Sequence, residues 1–224
     1  MDISAELAEI STYKGFFALT VGGDAAGWHP VSHDYADGFN ELIDTTVKRY
    51  RTTDARIGAS LVHLGHAARL WSPVLACALV HGVIPDFKDL QRADDGAQLR
   101  IPEPTGSPVE ISAGALYRVV VKQHMQPFAA GLRLKLAPTL LAGNIASALV
   151  GASRALLAAR PDLRGPIVEI TDSLLDTGVL SGSGVLTGSH LGFRRGSCCL
   201  FYRIPGRSVC GDCVFRRTPG AKRR

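Results

Sequence analysis

Leu141-Ala142-Gly143-Asn144-Ile145-Ala146-Ser147-Ala148-Leu149-Val150-Gly151-Ala152-Ser153-Arg154-Ala155-Leu156 is the stretch that decides the fold class. Leu141, Ile145, Ala148, Leu149, Ala152 and Leu156 recur at the steps that stack side chains on one face of an α-helix. Pro138 suits the first turn of that helix, where a missing N–H costs nothing. Beside the apolar face, Asn144, Ser147, Gly151 and Arg154 form a stripe of small and polar groups suited to close packing or to a ligand cleft.

Working outward, the same periodicity predicts helices through Tyr35–Tyr50, from Asp54 as N-cap through Ala68, from Pro73 to His81, from Ser112 to Gln126 with a kink or restart at Pro127, and from Asp162 to Leu175. Phe87–Arg92 and Gln98–Ile101 flank Asp95-Gly96, a pair that accepts the positive φ angles of a tight turn, so a short β-hairpin is expected there. The proline-rich run from Pro102 to Pro108 reads as a surface linker, near 102–111, between two helical halves. Around Gly178 the composition turns to Gly, Ser and Thr, which places a boundary near residue 180. The expected class is mainly α (α+β): a helical body over 1–180 with one short hairpin, and a small cysteine-bearing segment over 181–224.

The 224 residues are 46% hydrophobic and 20% charged, which excludes a disordered or fibrous chain. Apolar runs such as Trp71–Val80 and Ala137–Val150 fall short of the roughly 20 residues that span a bilayer, so no membrane span is expected and only peripheral membrane contact stays open. Met1-Asp2-Ile3-Ser4-Ala5-Glu6 has neither the basic start nor the apolar run of a secretion signal, and a cytoplasmic location with reduced thiols is expected. The net charge of +5 is concentrated after Arg194, where Asp212 is the only acid.

Within that basic tail lie four of the five cysteines, Cys198, Cys199, Cys210 and Cys213, spaced C-C-x10-C-x2-C. In a reducing compartment such clustering indicates metal rather than disulfides. Four thiolates hold either a tetrahedral zinc or an iron-sulfur cluster. Adjacent cysteines on extended backbone point to opposite faces, which suits two irons better than one small ion; zinc stays open. Phe201–Arg207 reads as a strand followed by a Pro205-Gly206 turn that returns the chain, and Gly211 is expected to let backbone N–H groups approach the sulfurs. Leu200, Phe201, Tyr202, Val214 and Phe215 would limit water. A four-thiolate cluster is anionic and becomes more so on reduction, so Arg194, Arg195, Arg203, Arg207, Arg216 and Arg217 are candidates for tuning it, against the alternative of a solvated basic tail.

The run Arg194-Arg195-Gly196-Ser197-Cys198-Cys199-Leu200-Phe201-Tyr202-Arg203-Ile204-Pro205-Gly206-Arg207-Ser208-Val209-Cys210-Gly211-Asp212-Cys213 resembles the C-terminal signature of FhuF-type ferric-siderophore reductases. Leu141–Leu149 is similar to the Gly-Asn-x-Ala-Ser-Ala helix of that family, and His124-Met125-Gln126-Pro127 has a comparable helix end; the first hundred residues resemble it only in general arrangement. The resemblance implies a 2Fe-2S cluster on Cys198, Cys199, Cys210 and Cys213, with the cluster itself as the catalyst. It implies one-electron reduction of siderophore-bound Fe(III) in the cytoplasm, electrons coming from a separate reductase or ferredoxin-like protein. The competing reading is an iron-sulfur or zinc-stabilised binding or sensing protein with no turnover; no recognition helix supports nucleic acid as a partner. Arg216, Arg217, Lys222, Arg223 and Arg224 are candidates for docking an acidic donor.

The remaining candidates have plainer readings. His63 and His66 lack a second ligand pair and read as structural. Trp28-His29-Pro30 with His33-Asp34-Tyr35 reads as a packing loop before a siderophore contact, and Arg118 with Lys122 as a solvated helix face. Asn144, in its stripe, is also a candidate for substrate or cluster contact. Cys77 among apolar neighbours reads as a small core residue. No G-x-G-x-x-G or G-x-x-x-x-G-K-[ST] spacing indicates a nucleotide.

Overall fold

The computed structural model describes residues 1–108, 110–188, 190–215 and 217–219. In chain order the regular elements are α1 (Ser4–Ser11), β1 (Thr20–Val21), β2 (Trp28–Pro30), α2 (Val31–Asp37), α3 (Asn40–Tyr50), α4 (Ala55–His81), β3 (Val83–Pro85), β4 (Gln91–Ala93), β5 (Leu99–Ile101), β6 (Gly106–Pro108), α5 (Ala113–Tyr117), α6 (Gln126–Gly131), α7 (Pro138–Ala159), α8 (Arg164–Leu175), β7 (Gly184–Thr187) and β8 (Gly192–Arg195). The class is α+β with helix dominant, as the periodicity indicates.

Two long helices, α4 and α7, pack along each other and organise the rest. The Asp54 side chain caps α4 by accepting from the Arg56 N–H, and Gly82 ends it with φ 68°. The sequence suggests separate helices before and after Pro73; the structure corrects this to one helix of 27 residues with Pro73 inside. Leu70, Trp71, Val74 and Leu75 are fully buried around the proline, and burial on that scale outweighs one lost backbone hydrogen bond.

The helix expected over Tyr35–Tyr50 is likewise two, α2 and α3, broken where Gly38 (φ 74°) and Phe39 (φ 57°) turn left-handed. The break lets α2 meet α6 backbone to backbone: a Cβ on Gly131 would lie 1.7 Å from the Tyr35 carbonyl oxygen. Preceding α6, Arg118–Met125 winds as a π-helix, and the chain restarts at Gln126 with Pro127 in the first turn. The restart at the proline follows the sequence; the wide π-turns before it do not.

The hairpin exists as β4 and β5, with Gln91 opposite Arg100 and Arg92 opposite Leu99. It is the middle of a four-stranded sheet ordered β1-β5-β4-β2, with β1 parallel to β5. The stretch near 102–111 is not all linker, because Gly106–Pro108 pairs antiparallel with β3. Under the sheet Arg92 is clamped on Asp34 through Nε (2.9 Å) and Nη2 (2.8 Å), both side chains buried. His29 joins the clamp, 3.0 Å from Asp34 and 2.5 Å from Asp94, so the stretch expected as a loop over Trp28–Tyr35 is β2 running into α2 and serves as a structural clasp.

By length and hydropathy α7 would cross a bilayer, yet 61% of its most apolar window is buried within the protein. That burial is what a central packing helix requires, and it explains the apolar run without a membrane.

Candidate metal centre

The stripe beside the apolar face of α7 is where the cysteine segment docks. Asn144, fully buried, donates to the Ser60 carbonyl of α4 (2.9 Å) and accepts from Arg195 Nη2 (2.6 Å). Arg195 also reaches the Leu140 carbonyl (3.3 Å). Ser147 donates to Asp212 (2.6 Å), and Arg154 lies 3.4 Å from the same carboxylate, so the tail's single acid is held by α7. Gly143 allows the approach, since a Cβ there would sit 2.5 Å from Ser197 Oγ and 3.0 Å from Arg195 Nη2. From the other side Ser60 donates to the Cys199 carbonyl (2.8 Å). The two central helices thus grip the segment at Arg195, Cys199 and Asp212.

Two strands absent from the sequence reading, β7 and β8, deliver it. They pair antiparallel from Gly184 opposite Arg195 to Thr187 opposite Gly192. Beyond them the sequence suggests a strand over Phe201–Arg207; the structure corrects this to one 3-10 turn at Phe201–Arg203 followed by irregular chain. Leu200 enters that turn with φ 67°, which aims its N–H back at Cys198 Sγ, 3.3 Å away. A non-glycine residue in that region is uncommon, and here it supplies a sulfur contact.

The four sulfurs form a linked set. Cys199 and Cys210 Sγ are 3.3 Å apart, too far for a disulfide and close enough for an S–H···S hydrogen bond. Cys198 feels the charges of Cys199 and Cys213, and Cys210 those of Cys199 and Cys213. The Cys213 N–H closes the C-x2-C turn on the Cys210 carbonyl (3.2 Å), and the Phe215 N–H points at Cys213 Sγ (3.4 Å). Gly211 has no such role: a Cβ on it would meet nothing, and the N–H groups aimed at sulfur belong to Leu200, Phe201 and Phe215.

Arg195 is the cation beneath them. It is 2% exposed, its Nε has no partner among the described residues, and its charge acts on Cys198, Cys199 and Cys210. The Cys210 thiol hydrogen-bonded to it draws Cys199 down to about 6, helped by the Phe201 N–H and Arg195, while Cys210 is pushed up as the holder of that proton. Burial raises Cys198.

A 2Fe-2S cluster fits these residues. Cys199 and Cys210 stand 3.3 Å apart with Cys198 and Cys213 within their electrostatic reach, backbone N–H groups already face three of the sulfurs, and an orphaned guanidinium N–H waits for an acceptor. Leu200, Phe201, Tyr202 and Val214 are half-buried beside the sulfurs, with Tyr202 edge-on to Phe215 at 5.6 Å.

The other arginines stand apart. Arg194 is exposed on β8, and Arg203 lies 3.7 Å from Asp54 at the start of α4. Arg207 and Arg217 are exposed, and Arg216, Lys222, Arg223 and Arg224 lie outside the described residues. Cys77 is buried in the core, its thiol pushed up to about 12 by desolvation. A feature the sequence conceals is a buried chain in which the Tyr35 hydroxyl lies 2.9 Å from His66 Nε2 and 2.8 Å from His124 Nδ1, one ring accepting its proton and the other donating to it. Fully buried His63 stands beside this chain with both ring nitrogens unpartnered among the described residues.

No curated protein and no solved structure matches the chain. A family model does: residues 195–215 match the FhuF 2Fe-2S C-terminal domain, the interval that begins at the buried arginine and contains all four clustered cysteines. The span 195–215 is therefore similar to an FhuF 2Fe-2S C-terminal domain, and the cofactor of the centre is a 2Fe-2S cluster.

Proposed function

We propose that this chain is a ferric-siderophore reductase of the cytoplasm, fed by a separate electron-donor protein. The observation that carries the reading is the interval 195–215, in which four clustered cysteines follow the buried Arg195, whose charge acts on three of them. When bound, the cluster supplies one-electron transfer between that donor and Fe(III). The chain's own groups set the conditions: Cys198, Cys199, Cys210 and Cys213 hold it, and the Leu200 and Phe215 N–H groups spread charge from two of the sulfurs. Arg195 offsets the added negative charge of reduction from a site water hardly reaches, where a cation acts most strongly. Siderophores grip Fe(III) through hard oxygen donors and lose that grip on Fe(II), so one electron releases the iron with no nucleophile or general base.

Holoprotein reduced anaerobically, freed of excess reductant and mixed with a ferric siderophore plus a ferrous chelator tests this. The expected result is recovery of the oxidised visible spectrum together with captured Fe(II), in equal amounts. A spectrum that stays reduced in the presence of the ferric complex would contradict the reading.

A further inference from the structure

A cleft of about 560 Å³ lies between α3, α4, Phe16 and the turn from Asp95 to Gln98. It takes in three guanidiniums, and they differ in kind. Arg92 is spent on Asp34 and on the carbonyls of Ala93 and Gly96. Arg69 has no carboxylate partner among the described residues; it donates to the Gly65 carbonyl (2.9 Å) and its guanidinium lies 4.7 Å over the Phe16 ring. Arg49 likewise has no carboxylate partner among the described residues, and stands 5.9 Å over Tyr50. The cleft holds a single acid, Asp95, against these two cations. Arg69 is half-buried, and burial lowers its pKa, the mark of a cation held partly out of water without compensation. A guanidinium held this way over an aromatic floor presents a planar fork to carboxylate or phenolate oxygens arriving from outside.

The cleft shares helix α4 with the anchor of the cysteine segment. Leu61 in its wall follows Ser60, whose hydroxyl holds the Cys199 carbonyl at 2.8 Å. A larger cleft of about 1040 Å³ opens elsewhere, but Asp86, Asp89 and Glu103 line it against one lysine, Lys88, a balance that repels anions.

We infer that the cleft between α3 and α4 is the substrate site, and that it takes ferric chelates carrying net negative charge, held by Arg69 and Arg49 through carboxylate or catecholate oxygens, in preference to neutral ones. This rests on the reductase reading for its iron. It adds the place and the charge class.

The test uses holoprotein at low ionic strength and redox-inert gallium(III) complexes of two hexadentate chelators, a tris-catecholate (trianionic) and a trihydroxamate (neutral). The expected result is tighter binding of the anionic complex, weakened about tenfold by Arg69→Gln and again by Arg49→Gln, with the visible spectrum of the cluster unchanged. Arg49 is exposed, so its variant folds even if the Arg69 variant does not. Equal binding of the two complexes by wild type, or an Arg49→Gln variant that binds the anionic one as wild type does, would overturn the inference. Reduction of the ferric tris-catecholate by wild type and both variants alike would reject the cleft and leave the reductase. Arginine-dependent gallium binding with no reduction of the ferric analogue would keep the cleft as a site for these anions and reject the reductase.

Discussion

Serine in place of Cys199 is expected to yield a colourless, folded protein. Cys199 is 2% exposed, lies 3.3 Å from Cys210 and is anchored through its carbonyl by Ser60. Loss of a group that merely orients a ligand costs about 10–100-fold in metal affinity, so loss of the ligand should cost more than about 100-fold. The protein should still fold, because the segment is also held by Asn144–Arg195 and Ser147–Asp212 contacts that do not use sulfur. Iron content and visible absorption measure the loss, and Cys77→Ala is the control: it removes a core thiol at about 1 kcal/mol and should leave the colour intact. A colourless Cys77 variant with a coloured Cys199 variant would reverse the assignment.

Stability should fall steeply in mild acid. His63 is held at about 3, by burial and then by the Arg195 charge; burial holds His124 at about 4; and burial with neighbouring positive groups keeps His66 well below its usual value. In the unfolded chain each imidazole takes a proton near pH 6.5. Between that value and the folded ones the unfolded state binds more protons, so stability is full above about pH 6.5 and drains as pH falls. Each group contributes up to about 1.4 kcal/mol per pH unit, and the three together up to about 4. A domain with the usual stability of about 5–15 kcal/mol would lose most of it within two or three units. Urea titrations at pH 7 and 5.5 measure the loss, and His63→Leu should reduce the difference between them by about 1.3 kcal/mol. A difference unchanged by that variant would mean His63 is not held neutral in the fold.

What could be read from the chain divides along physical lines. The α7 stripe of Asn144, Ser147 and Arg154 is visible as local periodicity, and its neighbours were open; only the fold brings Arg195 and Asp212 against it. The cysteine spacing marks the centre because thiolate clustering is a chemical signature independent of fold. Pro73 misleads because local propensity says break while complete burial of Leu70 to Leu75 says continue. Strands of two to four residues, such as β1, β7 and β8, are too short for alternation to register. Among the arginines, the sequence offers no reason to prefer Arg195; pairing of β7 with β8 turns its side chain inward and leaves Arg194 outside. Tyr35, His66 and His124 meet from three separate helical segments, and no spacing rule reaches that far. Gly143 had a detectable signal, a glycine within a strongly periodic helix, which commonly marks a close approach.

The central claim is that the four clustered thiols hold two irons bridged by sulfide. Iron, zinc and acid-labile sulfide measured on anaerobically purified protein test it most directly. The account predicts about two iron and about two sulfide per chain, with visible absorption that bleaches on one-electron reduction. About one zinc per chain with no sulfide would contradict it.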